Sequence, residues 1–426
     1  MMSTRISCIV VLAIMFNSAI VAESAVQNIK AGGDITSFVF YRNNYDLNSS
    51  DALDNNLGLF STIARLNISA DLTEKIETYI LISNERDWDI ESSSSTNLEL
   101  DYAYIMFKEM FDPSLTLTIG RQEMVFGNAM VVANSGQCIT SLTADDYSAR
   151  NAFDAIRATL NHEPLIVDLV YSKIDEVNEA DDEEDEDLYG INIGYQFANY
   201  DAVAEGYLFV KDSDAKDIYT IGTRSDISLL DGLELGAEVA YQFGDYSTIA
   251  SASRSQKSWA VEVLGAYTFD NEYHTSLRSG YYYRSGNKAS KTTGNYEGWD
   301  PMYEDQVLGR IYDALFAGLN GGCNSNVHII NAGFSINPTE DISLNIDYYH
   351  YVLDEKFVSG AHPVNSDYAV TNKDDVGDEI DVVTEYAYSE DVTFGLEFNW
   401  FLPGDMFAHA NSNTASQMIG YVAVEF

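Results

Sequence analysis

Apolar and polar residues alternate with a period of two along almost the whole chain. In GLELGAEVAYQF, Leu233, Leu235, Ala237, Val239, Tyr241 and Phe243 share one face, with Glu234, Gly236, Glu238 and Gln242 on the other. DVTFGLEFNWF sets Val392, Phe394, Leu396, Phe398 and Trp400 against Thr393, Gly395, Glu397 and Asn399. SWAVEVLGAYTF and DISLNIDYYHY repeat the pattern. Such alternation predicts strands with one apolar and one polar face. About 18 segments qualify, each near the ~10 residues that a tilted membrane strand needs. Short turns (ADLTEK, FDPS, NHEP, FANYD, LLDG, FDNEY, NPTED, SED) alternate with long connections near 42–56, 88–97, 124–151, 175–187, 245–256, 285–326, 354–377 and 403–415. Only the connection near 211–216 is short on the long side. The expected fold is all-β: a transmembrane antiparallel β-barrel of about 18 strands with short periplasmic turns and long extracellular loops. A soluble sandwich or propeller explains the alternation but not the alternating loop lengths. The last strand, SQMIGYVAVEF, is expected to pair with the first, around Gly33–Tyr41, because lipid offers nothing to a bare sheet edge. Phe426 then lies at the periplasmic interface.

The first 22 residues differ. Arg5, an apolar stretch from Ile6 to Phe16 and small residues up to Ala22 read as a secretory signal, with the barrel as 23–426. The apolar stretch is short for a membrane anchor. No other stretch approaches 18 apolar residues, so spanning helices are excluded and the bacterial outer membrane is the expected location. Composition agrees: 29 Tyr, 12% aromatic residues and only 6 Pro suit strands. The formal net charge of −44 makes nucleic acid an improbable partner.

Several stretches resemble the alginate export family of outer-membrane porins. They are LTIGRQEMVFG (117–127), FDAIR (153–157), NPTEDISLNIDYYHY (337–351) and DEIDVVTEYAYSEDVTFGLEFNWFLPGD (378–405), in that order. The resemblance implies an 18-stranded barrel that passes a polysaccharide or related solute through a strongly basic lumen. A terminal Phe on an alternating strand also resembles the signal read by the barrel-assembly machinery, an expected partner alongside outer-membrane lipid.

Placing each polar face inward departs from the basic-lumen pattern. Basic candidates are Arg65, Arg157, Arg224, Arg278 and Arg284. Acidic candidates are Asp101, Asp168, Glu205, Glu234, Glu238, Glu262, Asp347, Asp381, Glu385 and Glu397, so the average lumen is acidic. The arginines either form a ladder for sugar hydroxyls and carboxylates or satisfy facing carboxylates across the interior. Arg121 and Glu123 are also lining candidates, yet they share parity with Leu117 and Ile119. Either Gly120 marks a face-switching bulge, or both sit at the rim.

Three loop features stand out. DEVNEADDEEDED (175–187) has ten carboxylates in thirteen residues, read as a solvated loop or as oxygen ligands for a divalent cation. In Pro301–Leu319, Val307, Leu308, Ile311, Leu315, Phe316 and Leu319 follow helical spacing, predicting a short helix over or in the mouth. Cys138 and Cys323 lie in different long connections and are either disulfide-bonded across the mouth or separate thiols. The six histidines show no ligand spacing and no nucleophile elbow appears, so no enzyme, metal or cofactor is expected. The expected function is a channel for a saccharide-like or other small polar solute; the alternative is a barrel-anchored surface adhesion or structural protein.

Overall fold

A computed structural model describes residues 26–48, 57–88, 98–133, 151–175, 185–213, 216–248, 251–288, 290–291, 293–316, 324–361 and 368–426. Eighteen antiparallel strands form one sheet. They are β1 (Gln27–Asn43), β2 (Leu57–Thr73), β3 (Ile76–Asp87), β4 (Glu99–Phe107), β5 (Leu115–Gln122), β6 (Phe153–His162), β7 (Leu165–Asp175), β8 (Glu186–Phe197) and β9 (Ala202–Ser213). The chain continues as β10 (Lys216–Leu230), β11 (Leu233–Thr248), β12 (Ser251–Thr268), β13 (Ser276–Arg284), helix α1 (Arg310–Phe316), β14 (Val327–Thr339), β15 (Ile342–Leu353), β16 (Asp375–Ser389), β17 (Val392–Pro403) and β18 (Ala415–Glu425). Each strand pairs with its sequence neighbours, and β1 pairs with both β2 and β18. The sheet therefore closes without an edge, as lipid requires. At the seam Ile35 faces Val424 and Tyr41 faces Met418, while Gly33 and Phe426 exchange backbone hydrogen bonds of 2.9 and 3.0 Å. Eighteen strands tilted by ~40° at ~4.8 Å spacing make a cylinder about 35 Å across.

The outward face is apolar where the pattern predicts it. Leu66, Ile80, Ile105, Leu169, Ile193, Ile221, Val263, Leu277 and Ile330 are exposed large hydrophobics. Paired aromatics flank this band toward the short-turn end (Tyr195 with Phe197, Tyr267 with Phe269) and toward the long-loop end (Tyr241 with Trp259, Phe60 with Trp88). A continuous exposed apolar band between aromatic girdles is a lipid-facing surface.

One connection differs from expectation. The long segment foreseen near 245–256 is mostly strand, because β11 runs on to Thr248 and β12 starts at Ser251. Their tops are polar, which hides the alternation. The ladder still continues through Gly244↔Gln256 and Tyr246↔Arg254, and the Tyr246 ring stacks on Tyr296 at 3.7 Å. The fold's core lies inside the cylinder, in its long-loop half, as two apolar clusters.

Candidate pore and its constriction

Two long connections turn inward instead of outward. Met124, Phe126, Met130 and Val132, which follow β5, pack against Phe153, Val170, Leu188 and Phe209 of the wall and against Trp299, Met302 and Tyr303, which follow β13. The two loops are joined by backbone hydrogen bonds: Ala133 N–H to Tyr303 O (2.7 Å), Tyr303 N–H to Val131 O (3.0 Å) and Asp305 N–H to Ala129 O (3.0 Å). Each large apolar side chain buried here contributes ~1.5–3 kcal/mol, which opposes the loops' swinging out. α1 completes the infolding. Its Ile311, Tyr312 and Leu315 pack on Val327, Ile329, Tyr351 and Phe401.

Asn128, at the tip of the first loop, organises the polar part. Its backbone N–H donates to Glu238 Oε2 and its Nδ2 to Glu262 Oε2, both at 3.3 Å. Its Oδ1 accepts from Arg224 Nε at 2.8 Å and its backbone O from Gln306 Nε2 at 2.8 Å. Gly127 beside it has φ 59°, and a Cβ there would stand 3.1 Å from Glu238 Oε2, so a side chain would crowd the carboxylate the tip rests on. Arg284 closes the ring by pairing with buried Glu262 and donating to Gln306 Oε1 at 2.6 Å. Tyr207 donates to Glu238 Oε1 at 2.7 Å.

Wall carboxylates also anchor the second loop. Glu379 accepts the Ile311 and Tyr312 N–H groups at 2.6 and 2.8 Å, Asp381 accepts Arg310 N–H at 3.2 Å, and Arg310 Nε lies 3.4 Å from Glu397. Nearer the root, Asp300 is held by Lys216 (3.0 Å) and Lys211 (3.9 Å). Burial pushes the Asp300 carboxyl up, but the two ammonium groups outweigh it and hold it at about 2. Glu304 lacks such a partner. Burial raises it to about 8, only partly offset by Arg284 and by the Asn324 N–H it accepts at 2.5 Å. Below the constriction a cavity of about 790 Å³ opens along β8 to β15, lined by Arg224, Asp226, Glu234, Arg278, Tyr282 and Asp347 among others.

A barrel of 18 strands with infolded loops is the architecture of an outer-membrane channel, and residues 34–421 match the family model described as alginate export. The chain belongs to the alginate export family. No curated protein sequence matches it. Among solved structures it is similar to Pseudomonas aeruginosa OpdQ (TM-score 0.59, 11% identity, 93% of this chain and 98% of that one). It is likewise similar to P. aeruginosa OprD (0.57, 10%, 95% and 95%). P. aeruginosa OccK2 (OpdF), solved in complex with glucuronate, gives 0.58 at 12% identity over 94% and 97%. At such identities these likenesses establish the fold. The family member described here is thus a porin-like channel of the bacterial outer membrane.

Within this porin-like barrel the five arginines that the alternation places in the lumen are all engaged by carboxylates, while Arg42, also buried on the inner face, donates to Gln417 Oε1 at 2.6 Å. Arg65 pairs with Asp34 (2.9 Å), Arg157 with Asp168 (2.8 Å), Arg224 with Glu205 (3.2 Å) and Asp226, Arg278 with Asp347 (3.0 Å), and Arg284 with Glu262. They stand on β2, β6, β10 and β13 around the ring, so no continuous ladder forms. Glu385 accepts from Tyr421 at 2.5 Å on the opposite wall. Asp101 sits at a bulge of β4 and is buried, with no hydrogen-bond partner for either oxygen among the described residues. Arg121 is a correction. The register from Leu115↔Leu160 to Gln122↔Phe153 is unbroken, so Gly120 switches no face. Arg121 points out with Asp154 (3.1 Å), and Glu123, beyond the strand end, is exposed and accepts from Asn151 (3.3 Å). Both belong to the rim, not the pore.

The predicted helix spans only Arg310–Phe316 among the described residues, and Val307 is exposed. Cys138, Cys323, the signal segment and 176–184 of the acidic loop lie outside the described residues. Sequence reasoning missed Glu379, which shares the parity of Asp381. It also missed Asn128 and Asp300, whose stretches carry no periodic signal, and Glu304, Gln306 and Arg310, which lie in the 301–319 segment whose helical spacing marks only its apolar residues.

Proposed function

We propose that this porin passes a saccharide-like or other small polar solute by passive diffusion. The observation that carries the reading is the 790 Å³ cavity beneath the constriction. Its size falls in the ~300–1,000 Å³ range of small-molecule sites, and its lining alternates donors and acceptors suited to hydroxyl groups. The reading gives the protein no catalytic role. The family description, alginate export, and the glucuronate bound by OccK2 both favour a sugar-derived solute. Outer-membrane lipid and the barrel-assembly machinery are the other partners it requires. Purified protein in planar bilayers should show discrete conductance steps that saturate with added sugar. Silent membranes containing correctly folded barrel would instead support a surface protein merely anchored by its barrel.

A further inference from the structure

The chemistry of the cavity goes further than its size. Its walls carry two guanidinium groups, Arg224 and Arg278, and four carboxylates, Asp201, Asp226, Glu234 and Asp347. Both guanidiniums face protein acceptors. Arg224 directs Nε to Asn128, Nη1 to Glu205 and Nη2 to Asp226. Arg278 gives Nη2 to both oxygens of Asp347, at 3.2 and 3.0 Å. All three nitrogens of Arg224 are taken, and the charge of Arg278, whose Nε and Nη1 make no protein hydrogen bond among the described residues, is balanced by Asp347, so neither adds net positive charge to the cavity. Glu234 differs: it is exposed to the lumen and, among the described residues, has neither a hydrogen bond nor an ion pair. Tyr282 and Tyr349 add aromatic surface to the same cavity.

Resting on the diffusion-channel reading, we infer that the cavity is a subsite for hydroxylated solutes bearing an ammonium group, of the amino-sugar class, and that it disfavours uronates. Carboxylates that lack a counter-charge attract an ammonium and repel a carboxylate, and low-dielectric walls concentrate that field on the path. Tyrosine rings accept both sugar faces and cations. The engaged Arg–Asp pairs still offer hydrogen bonds to neighbouring hydroxyls.

The test is uptake of radiolabelled glucosamine, glucose and glucuronate into proteoliposomes containing the full barrel, at low and high ionic strength. At low salt glucosamine should enter about tenfold faster than glucuronate, with glucose between, and high salt should compress the order. Glu234→Gln should shrink the glucosamine-to-glucuronate ratio several-fold. Asp226→Asn should do so more strongly, because it also frees part of Arg224. Glu390→Gln, in the turn between β16 and β17, should leave the ratio unchanged. Glucuronate entering as fast as glucosamine, or a ratio indifferent to Glu234 and Asp226, would overturn the assignment while leaving a sugar channel standing. Uptake of none of the three would overturn the channel reading, and this one with it.

Discussion

Replacing Glu304 by Gln should tighten the infolded second loop at neutral pH and abolish its response to pH. Glu304 is buried, and its carboxyl is raised from an ordinary 4.5 to about 8 by burial first, then by Asp313 and Glu262, against the opposing pull of Arg284 and the Asn324 N–H. When the loop swings out, the group meets water and titrates normally. Below pH 4.5 both forms hold the proton, and the infolded state keeps its full stability. As pH rises from 4.5 toward about 8 the open form has lost its proton while the infolded form still holds it, and that stability is progressively lost. The loss is about 3 kcal/mol at pH 7 and approaches about 5 kcal/mol above pH 8, at ~1.36 kcal/mol per pKa unit. Asp300 has the opposite sign: its carboxyl, at about 2, contributes above its ordinary 3.8 and loses that contribution only as pH falls toward 2. Between pH 5 and 8 it is constant, so Glu304 alone of the two sets the slope. The assay is hydrogen exchange of the 299–316 peptide by mass spectrometry, corrected for intrinsic pH dependence. Protection in the native protein should fall on the order of a hundredfold between pH 5 and 7, whereas the Gln variant should stay flat and protected. Equal slopes in the two proteins would refute the assignment of the loop's pH response to Glu304.

Four further outcomes follow from the same geometry. Arg284→Met leaves Glu262 buried without its counter-charge and should cost about 3–5 kcal/mol in urea unfolding, most of it recovered by adding Glu262→Gln. Gly33→Val should lower the yield of closed, heat-modifiable barrel, since a Cβ there would lie 2.3 Å from Arg65 O and 3.0 Å from the Phe426 ring at the closing seam; unchanged yield would show that the seam relaxes freely. Bilayer recordings should show no strong anion selectivity, most clearly at low salt, where screening is weakest; strong anion selectivity would mean that the arginines dominate despite their partners. We also propose that Cys138 and Cys323 pair, because the described parts of their loops are already joined at Val131, Ala133 and Tyr303; both thiols reacting with alkylating reagent before reduction would end the idea.

The wall was legible because its physics is local and periodic. Ile221, Leu235 and Val263 recur at every second position because one face meets lipid, and all eight short turns carry the Gly, Pro, Asn and Asp residues that reverse a chain. Strand number and closure followed from counting. The site was legible by half. Parity placed Arg224, Glu238, Glu262 and Arg284 inside, but nothing in the alternation says which carboxylate meets which guanidinium, or that Asn128, 110 residues before Glu238 in the chain, would sit on it. The infolded loops depend on contacts between distant segments. The face of Arg121 was open for a related reason: Gly120 fits both a bulge and a regular strand, and only the hydrogen-bonded register with β4 and β6 decides between them.

One signal for the infolding was nevertheless present. At the long-loop ends of several strands the inward positions are apolar as well as the outward ones: Leu188, Phe209, Val327, Ile329 and Tyr351 are buried inside the cylinder. A water-filled mouth gives such side chains nothing to pack on, so an apolar inner face at one end of a barrel implies that protein fills that end. Toward the short turns the inner face becomes polar, with Arg278, Asp347, Asp226 and Glu234 around the cavity. The inner surface is therefore divided along the strands into an outer half that holds the loops and an inner half that meets the solute. Carboxylates of the outer half, Glu262, Glu379 and Asp381, answer to Arg284 and to α1. Counting every lumen charge as a selectivity charge mixes these two populations. Only the inner one, where Glu234 stands without a partner among the described residues, is free to act on what passes.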